Sequence, residues 1–333
     1  MGEGRGGLLS VVGAVNWDIS IFEERFARAG EEVPVRHVEE FSGGKGANVA
    51  VAAARVLGAG RVAFIGALGE DDIAGKQISE LGREGVLTDG VSRLKGCRSG
   101  RAYIVVDSSG KKAIHTHFGA NERLTPELLS SEGPSRIISM TSIMIVMDPP
   151  TDSALEAARM ARRVGATVLY SPGVRTQKGY LSLRPVIEMS DYIVLDSIEL
   201  RNMMGTSDEE RAVEMLVGKH PHLTVVATLG ERGCRIARGG AVSTVAGVEL
   251  PALGMSAVNT TGCGDAFLGV FSSYILLGKT PLESAAWANL AGAIKATRYE
   301  TRGSPTRDEL EKTMERLEQI RRARLGLRES RAS

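Results

Sequence analysis

The sequence has no surplus of charge: 41 Lys and Arg stand against 40 Asp and Glu, a formal net charge of +1. Without a basic excess or a polybasic segment, it is not built to follow a nucleic-acid backbone or an anionic membrane surface. No apolar run approaches the length of a membrane span. Cysteine is scarce. Cys97, Cys234 and Cys263 are odd in number and scattered, which suits neither a disulfide framework nor a Cys-x-x-Cys metal site. The first residues, Met1 to Gly7, are polar and Gly-rich and lack the apolar core of a secretion signal. These absences fit a cytoplasmic chain and predict no nucleic-acid or membrane partner. At 333 residues there is ample chain for one large α/β domain or two modest ones.

Two common phosphate motifs are missing as well. Ser42-Gly43-Gly44-Lys45-Gly46 does not have the G-x-x-x-x-G-K-[ST] spacing of a Walker A loop. Gly13-Ala14-Val15-Asn16 lacks the glycine triplet of a dinucleotide turn, so a nicotinamide dehydrogenase is excluded.

What the chain does have is Val258-Asn259-Thr260-Thr261-Gly262-Cys263-Gly264-Asp265-Ala266-Phe267. Two glycines let the backbone curl so that successive N–H groups converge on an anion at a helix N-terminus. Asp265 then falls in the first helical turn, where a carboxylate is a poor phosphate ligand but a fitting base for an attacking hydroxyl. The same residues also suit an ordinary Gly-rich helix start with a dipole-stabilised Asp. Upstream, Ser42-Gly43-Gly44-Lys45-Gly46-Ala47-Asn48 precedes an Ala-rich run ending at Gly58. Adjacent glycines allow close approach of a ligand, and Lys45 and Asn48 offer donors to hydroxyls.

In this order and spacing, the two motifs resemble the signatures of the ribokinase (PfkB) family of carbohydrate and nucleoside kinases, most closely those of ribokinases. The resemblance runs from about Val11 to Ser304. Gly13 to Asp18 looks like the family's first strand, ending in an Asn-x-Asp that holds sugar hydroxyls. Gly119-Ala120-Asn121 resembles the segment where the lid returns to the core. Asp196-Ser197-Ile198-Glu199 stands in the place of an Asn-x-x-Glu linked to magnesium and phosphate positioning. Thr228 to Gly233 resembles the nucleotide-side strand and turn.

The resemblance implies an α/β fold, a ribokinase-like three-layer sandwich with a mainly parallel sheet and a small β-sheet lid. Residues 1–320 would form the kinase domain, the lid coming from about 15–42 and 98–118, and 321–333 a flexible tail. It implies transfer of a nucleotide's terminal phosphoryl group, from ATP or ADP, to a hydroxymethyl group. Asp265 would be the base, and the amides of Gly262, Cys263, Gly264 and Asp265 the anion hole. Asn16, Asp18, Gly43, Gly44, Lys45, Asn48 and Asp148 would bind the acceptor. Asp196, Thr228, Gly230, Gly233 and Asn289 would bind the nucleotide, and Glu199 would assist Mg²⁺. Homodimerisation through the lid is implied too. Three acceptors stay open: ribose or a similar sugar, a nucleoside, and a sugar phosphate such as ribose 1-phosphate. A sugar- or nucleotide-binding protein without catalysis is the reading from another class; intact Gly262, Gly264 and Asp265 speak against it.

Some positions depart from the pattern. Asn259 replaces the signature's leading Asp, which in the family helps bind an activating monovalent cation, so potassium activation is left open. Cys263 replaces the common Ala, Asp148 a Glu, and Asp196 an Asn. Trp17 suits either stacking on a base or packing, and His115 and His117 read as surface residues.

Elsewhere, short apolar strands alternate with amphipathic helices. Strands are expected at 8–15, 61–68, 142–147, 166–171, 192–195 and 223–229, and helices at 151–164, 207–219 and 310–320. This rhythm predicts a parallel sheet covered on both faces, with ligands at the strands' carboxyl ends. A lid hairpin, 102–106 with 112–116, is expected to turn at Asp107-Ser108-Ser109-Gly110.

Overall fold

The computed structural model describes residues 7–332, with side chains to residue 323. Met1 to Gly6 of the polar lead-in, and Ser333 of the expected tail, lie outside the described residues. Strand β1 (Leu8–Gly13) opens the main sheet, and β2 (Asn16–Glu23) and β3 (Val35–Gly43) leave it to start a second one. β4 (Val62–Gly69) and β5 (Val86–Leu94) return to the main sheet, and the hairpin β6 (Gly100–Val106) and β7 (Lys112–His117) completes the second. β8 (Thr141–Met147), β9 (Thr167–Ser171), β10 (Tyr192–Asp196) and β11 (Thr224–Thr228) extend the main sheet. The antiparallel β12 (Gly233–Arg238) and β13 (Ala241–Ala246) end it.

The main sheet has the order β13-β12-β11-β10-β9-β8-β1-β4-β5 and is parallel from β11 through β5. Its central strands are short apolar runs such as Ile143 to Met147, buried because helices cover both faces. β1 has β4 on one side and β8 on the other, so strand order reverses at its carboxyl end. Such a switch point opens a crevice between the loops. The chain leaves for the second sheet at this point.

On one face of the sheet, the helix Lys45–Leu57 packs beside the helix Cys263–Leu276, sharing a core with Phe64, Phe267 and Phe271. Ala47, Ala50, Ala52 and Ala53 are fully buried, and their small side chains let the two helices come close. The other face carries helices including Thr151–Arg163 and Tyr180–Glu188 over Met144, Val146 and Tyr170. The second sheet, ordered β3-β2-β6-β7, stands over the carboxyl ends as a lid.

Three details differ from expectation. Asn16 and Asp18 do not end the first strand. β1 stops at Gly13, and both residues begin lid strand β2, where Asn16 pairs with Gly43 and Gly100. Strand β5 and the hairpin β12–β13 have no counterpart among the expected strands, because charged residues such as Asp89, Arg93, Arg235 and Arg238 interrupt the apolar pattern of β5 and β12. The last helix runs Arg307–Ala332, through the expected tail from residue 321; its Arg-, Glu- and Leu-rich composition favours helix throughout. Among the described residues, no helix is long and apolar enough to cross a membrane.

Candidate active site

Between the lid and the carboxyl ends of the strands lies a cavity of about 530 Å³. Ala102, Ile104, Ile114, Thr116 and Phe118 roof it, an apolar cover suited to excluding water. Asn16, Asp18, Gly44, Lys45, Asn48, Asp148, Asp196, Glu199, Thr228, Gly262, Gly264 and Asp265 line the rest.

One end is the start of the Cys263–Leu276 helix. Its N-cap is Gly262 at φ +86°, and no side chain caps it. A Cβ at Gly262 would lie 2.3 Å from the carbonyl oxygen of Thr301, so the turn admits only glycine. First-turn N–H groups have no intrahelical acceptor, which leaves those of Gly264 and Asp265 available to an anion. The Cys263 N–H differs: it donates to Thr260 O at 3.2 Å and is not free for the hole. Burial pushes the Cys263 thiol up, which disfavours a nucleophilic thiolate.

Asp265 is buried beside this turn, and Asn48 Nδ2 donates to its Oδ2 at 2.8 Å. Burial raises its carboxyl above the usual range, and the Asn48 hydrogen bond, Lys45, Lys295 and Arg302 oppose that rise. A carboxylate so placed is more basic than one in water and points into a cavity that can hold a hydroxyl.

Where the acceptor is expected, the cavity is built from β2, the Gly43-Gly44 turn and β8. Gly44 has φ +92°, and a Cβ there would meet Asn16 N at 2.4 Å, so the close approach requires glycine. Gly43 does not line the cavity, but packs on the Asp18 carboxylate. Asn121 fixes Asn16: its Nδ2 donates to Asn16 Oδ1 at 2.8 Å and Val15 O at 3.0 Å, and its Oδ1 accepts from Val15 N–H. Strand alternation turns Trp17 the other way, where its Nε1 donates to Glu40 Oε2 and Lys76 covers its ring. Trp17 therefore packs on the lid's outer side. His115 and His117 are likewise exposed, on the face of β7 opposite Ile114 and Thr116.

Asp18 and Asp148 are each about 5% exposed, and burial pushes both carboxyls up to about 7. Asp148 holds φ +58°, unusual for a residue with a side chain, at the end of β8. Its Oδ1 lies 3.3 Å from Arg175 Nε, and Arg175 also pairs with Glu122. Lys45 Nζ is 3.3 Å from Glu199 Oε1. Burial would lower the Lys45 ammonium, but Glu199, Asp148 and Asp265 outweigh it and raise it.

Where the nucleotide is expected, Asp196 accepts from the N–H groups of Ile198 and Glu199, and Glu199 accepts from Asp196 N–H, a capping box on the helix Ser197–Met204. Thr228 lines the cavity, while Gly230 and Gly233 shape the turn after β11 without lining it. Asn289 is also outside the cavity. Its Nδ2 donates to Val245 O and Ala246 O, tying its helix to β13.

Sequence reasoning misses Arg302. Its guanidinium donates to Asn48 Oδ1 at 3.1 Å, Gly43 O at 2.8 Å and Gln77 Oε1 at 2.9 Å. Gln77 in turn donates to Asn16 O. Burial brings Arg302 down to about 10, against the pull of Asp18. One side chain thus braces the Gly43 turn, Asn48 and, through Gln77, Asn16. No motif around Thr301-Arg302-Gly303 signals this, since its partners are more than two hundred residues away in sequence.

Comparison with known proteins agrees with the fold. The pattern of the pfkB family carbohydrate kinases covers residues 7–307. Ribokinase of Haemophilus influenzae is 30% identical over 315 residues, 93% of this chain and 98% of that protein. The ATP-dependent ribose-1-phosphate kinase of Halopiger xanaduensis is 30% identical over 298 residues, 89% and 94% of the two chains. The crystal structure of ribokinase from Thermotoga maritima superposes with a TM-score of 0.80 at 27% identity, covering 93% of this chain and 99% of that one. The uncapped, glycine-started helix with its buried Asp265, the lid and the Gly43-Gly44 turn all lie within the matched residues. This chain belongs to the pfkB family of carbohydrate kinases.

Proposed function

We propose that the protein transfers the terminal phosphoryl group of ATP to a hydroxymethyl group of ribose or a similar free sugar. The observation that carries this reading is the charge of the cavity's lining. Among the described residues Lys45 is the one lining cation, and it is matched by Glu199, while Asp18, Asp148 and Asp265 add further carboxylates. A cavity in which cations are already paired favours a neutral polyhydroxyl acceptor over one bearing its own phosphate. Asp18, Asp148 and Asn16 offer acceptors to paired hydroxyls.

In the proposed mechanism, Asp265 takes the proton from the hydroxymethyl oxygen as that oxygen attacks the terminal phosphorus. The Gly264 and Asp265 amides, with the loop from Gly262, stabilise the charge that builds on the phosphoryl oxygens. Asn48 orients the Asp265 carboxylate. The lid excludes water that would otherwise accept the phosphoryl group. Glu199, whose carboxylate lines the cavity beside Lys45, is the residue that would hold Mg²⁺, and the ion would supply charge neutralisation at the donor phosphates. A second copy pairing on the lid is part of this reading, since Val35 and Val38 on edge strand β3 are about half exposed.

The test is phosphorylation of a panel: ribose, fructose, ribose 1-phosphate, inosine and adenosine, each with ATP and ADP. Turnover on ribose with ATP at least about ten-fold above the others supports the proposal. Preference for ribose 1-phosphate, the substrate named for the Halopiger relative, contradicts the neutral-acceptor argument.

A further inference from the structure

Lys295 is a fully buried cation directly behind the anion-binding turn. It lies in the last turn of the helix Pro281–Ala296 and has no exposed surface. Its Nζ donates to the carbonyl oxygen of Asn259 at 2.8 Å and to that of Arg298 at 3.3 Å. Among the described residues, no carboxylate comes within ion-pair distance of it. Its stem runs beneath the turn, and a Cβ placed on Gly262 would lie 3.5 Å from Lys295 Cε. Peptide carbonyls converging on a charged group, without a carboxylate, is the arrangement proteins also make around a small monovalent cation.

The side chain of Asn259 is engaged as well. Its Oδ1 accepts from Lys112 Nζ at 2.7 Å, a lid residue that also donates to Thr261 Oγ1 at 2.9 Å. Its Nδ2 donates to Tyr299 O at 2.7 Å, a contact an aspartate could not make. The backbone and side-chain oxygens of Asn259 are therefore both occupied by ammonium groups. A free cation on these oxygens would displace one ammonium group and be repelled by the other. The residues present do not fit the activating monovalent cation that the family resemblance implies.

We propose that the Lys295 ammonium is a built-in replacement for that cation, holding the Asn259–Gly262 turn in its anion-binding shape and making phosphoryl transfer independent of added potassium. Lys295 is a positioning residue: it acts through the turn and touches neither substrate. Burial lowers its pKa, while Cys263, Glu300 and Asp265 nearby oppose that shift. The proposal rests on the kinase reading above, and its test includes a measurement that does not depend on turnover.

Wild type and Lys295→Ala would be compared in buffers of constant ionic strength, with tetramethylammonium replaced stepwise by potassium. Thermal stability and ATP phosphorylation of ribose are followed together. Wild type is expected to change by less than about two-fold in kcat/KM and less than about 1 °C in Tm. Lys295→Ala is expected to lose about a hundred-fold in kcat, then regain part of it with potassium and gain about 2–4 °C in Tm. Lys295→Met, which fills the space with an apolar chain, should lose activity without potassium rescue. Potassium activation of wild type by more than about ten-fold, or a potassium-dependent Tm in wild type, overturns the proposal. So does a Lys295→Ala that is folded and indifferent to potassium in both measurements. A wild type that phosphorylates no acceptor would refute the kinase reading alone, and the Tm series would still decide the cation question.

Discussion

Asn48 donates a 2.8 Å hydrogen bond to the carboxylate of Asp265, joining two glycine motifs that lie 217 residues apart in the sequence. The bond favours the ionised form of a carboxyl that burial otherwise raises. Removing it with Asn48→Ala should raise the Asp265 pKa further. Because a base must be ionised to act, the acidic limb of the kcat profile should move to higher pH. Steady-state rates between pH 5 and 9 check this; an unmoved limb would separate Asn48 from the base.

Asp148 combines a buried carboxyl with φ +58°. Its pKa is raised from 3.8 to about 7, so between these values the folded protein holds a proton the unfolded chain has released. Its contribution to stability is therefore present below about pH 4 and is lost as pH rises to about 7. Asp148→Asn removes that loss, and asparagine tolerates positive φ well. At pH 8 the variant should melt about 2–4 °C higher, while its acceptor KM rises about ten-fold. Calorimetric melting and KM together check the trade. A lower Tm at pH 8 would contradict it.

Arg302 braces Gly43, Asn48 and Gln77 from a buried position. Arg302→Met should cost about 2–4 kcal/mol in urea unfolding, because three acceptors lose their donor and Asp18 loses its nearby cation. The acceptor KM should rise with little change in the ATP KM. Equal damage to both would mean that the whole cavity had collapsed.

Gly262→Ala places a methyl 2.3 Å from Thr301 O at φ +86°. A loss of about 1–3 kcal/mol in stability is expected, with weaker nucleotide binding and near-normal acceptor binding by calorimetric titration. Retained nucleotide affinity would show that the turn is not the anion site.

The parts of this cavity that were legible in the sequence are those where a tight turn requires glycine. Gly44, Asn48, Gly262 and Asp265 lie in short motifs because each turn and the side chain it presents to the cavity are neighbours in the chain. The strands β1, β4 and β8 were legible because burial on both faces leaves continuous apolar runs. Arg302, Gln77 and Lys295 were not legible: each acts through partners that only the fold brings near, and polar residues in helices or loops read as surface. Asn289, expected toward a nucleotide, lies outside the cavity and ties its helix to β13. Asn16 and Asp18 do line the cavity, but from lid strand β2, because two residues after Gly13 suffice to start a new sheet.

The most direct test of the account is ATP-dependent phosphorylation of ribose by Asp265→Asn, measured beside ribose and nucleotide binding by calorimetry. The account predicts a fall in kcat of about a thousand-fold or more with affinities within about three-fold of wild type. Turnover near the wild-type rate would contradict the assignment of Asp265 as the base.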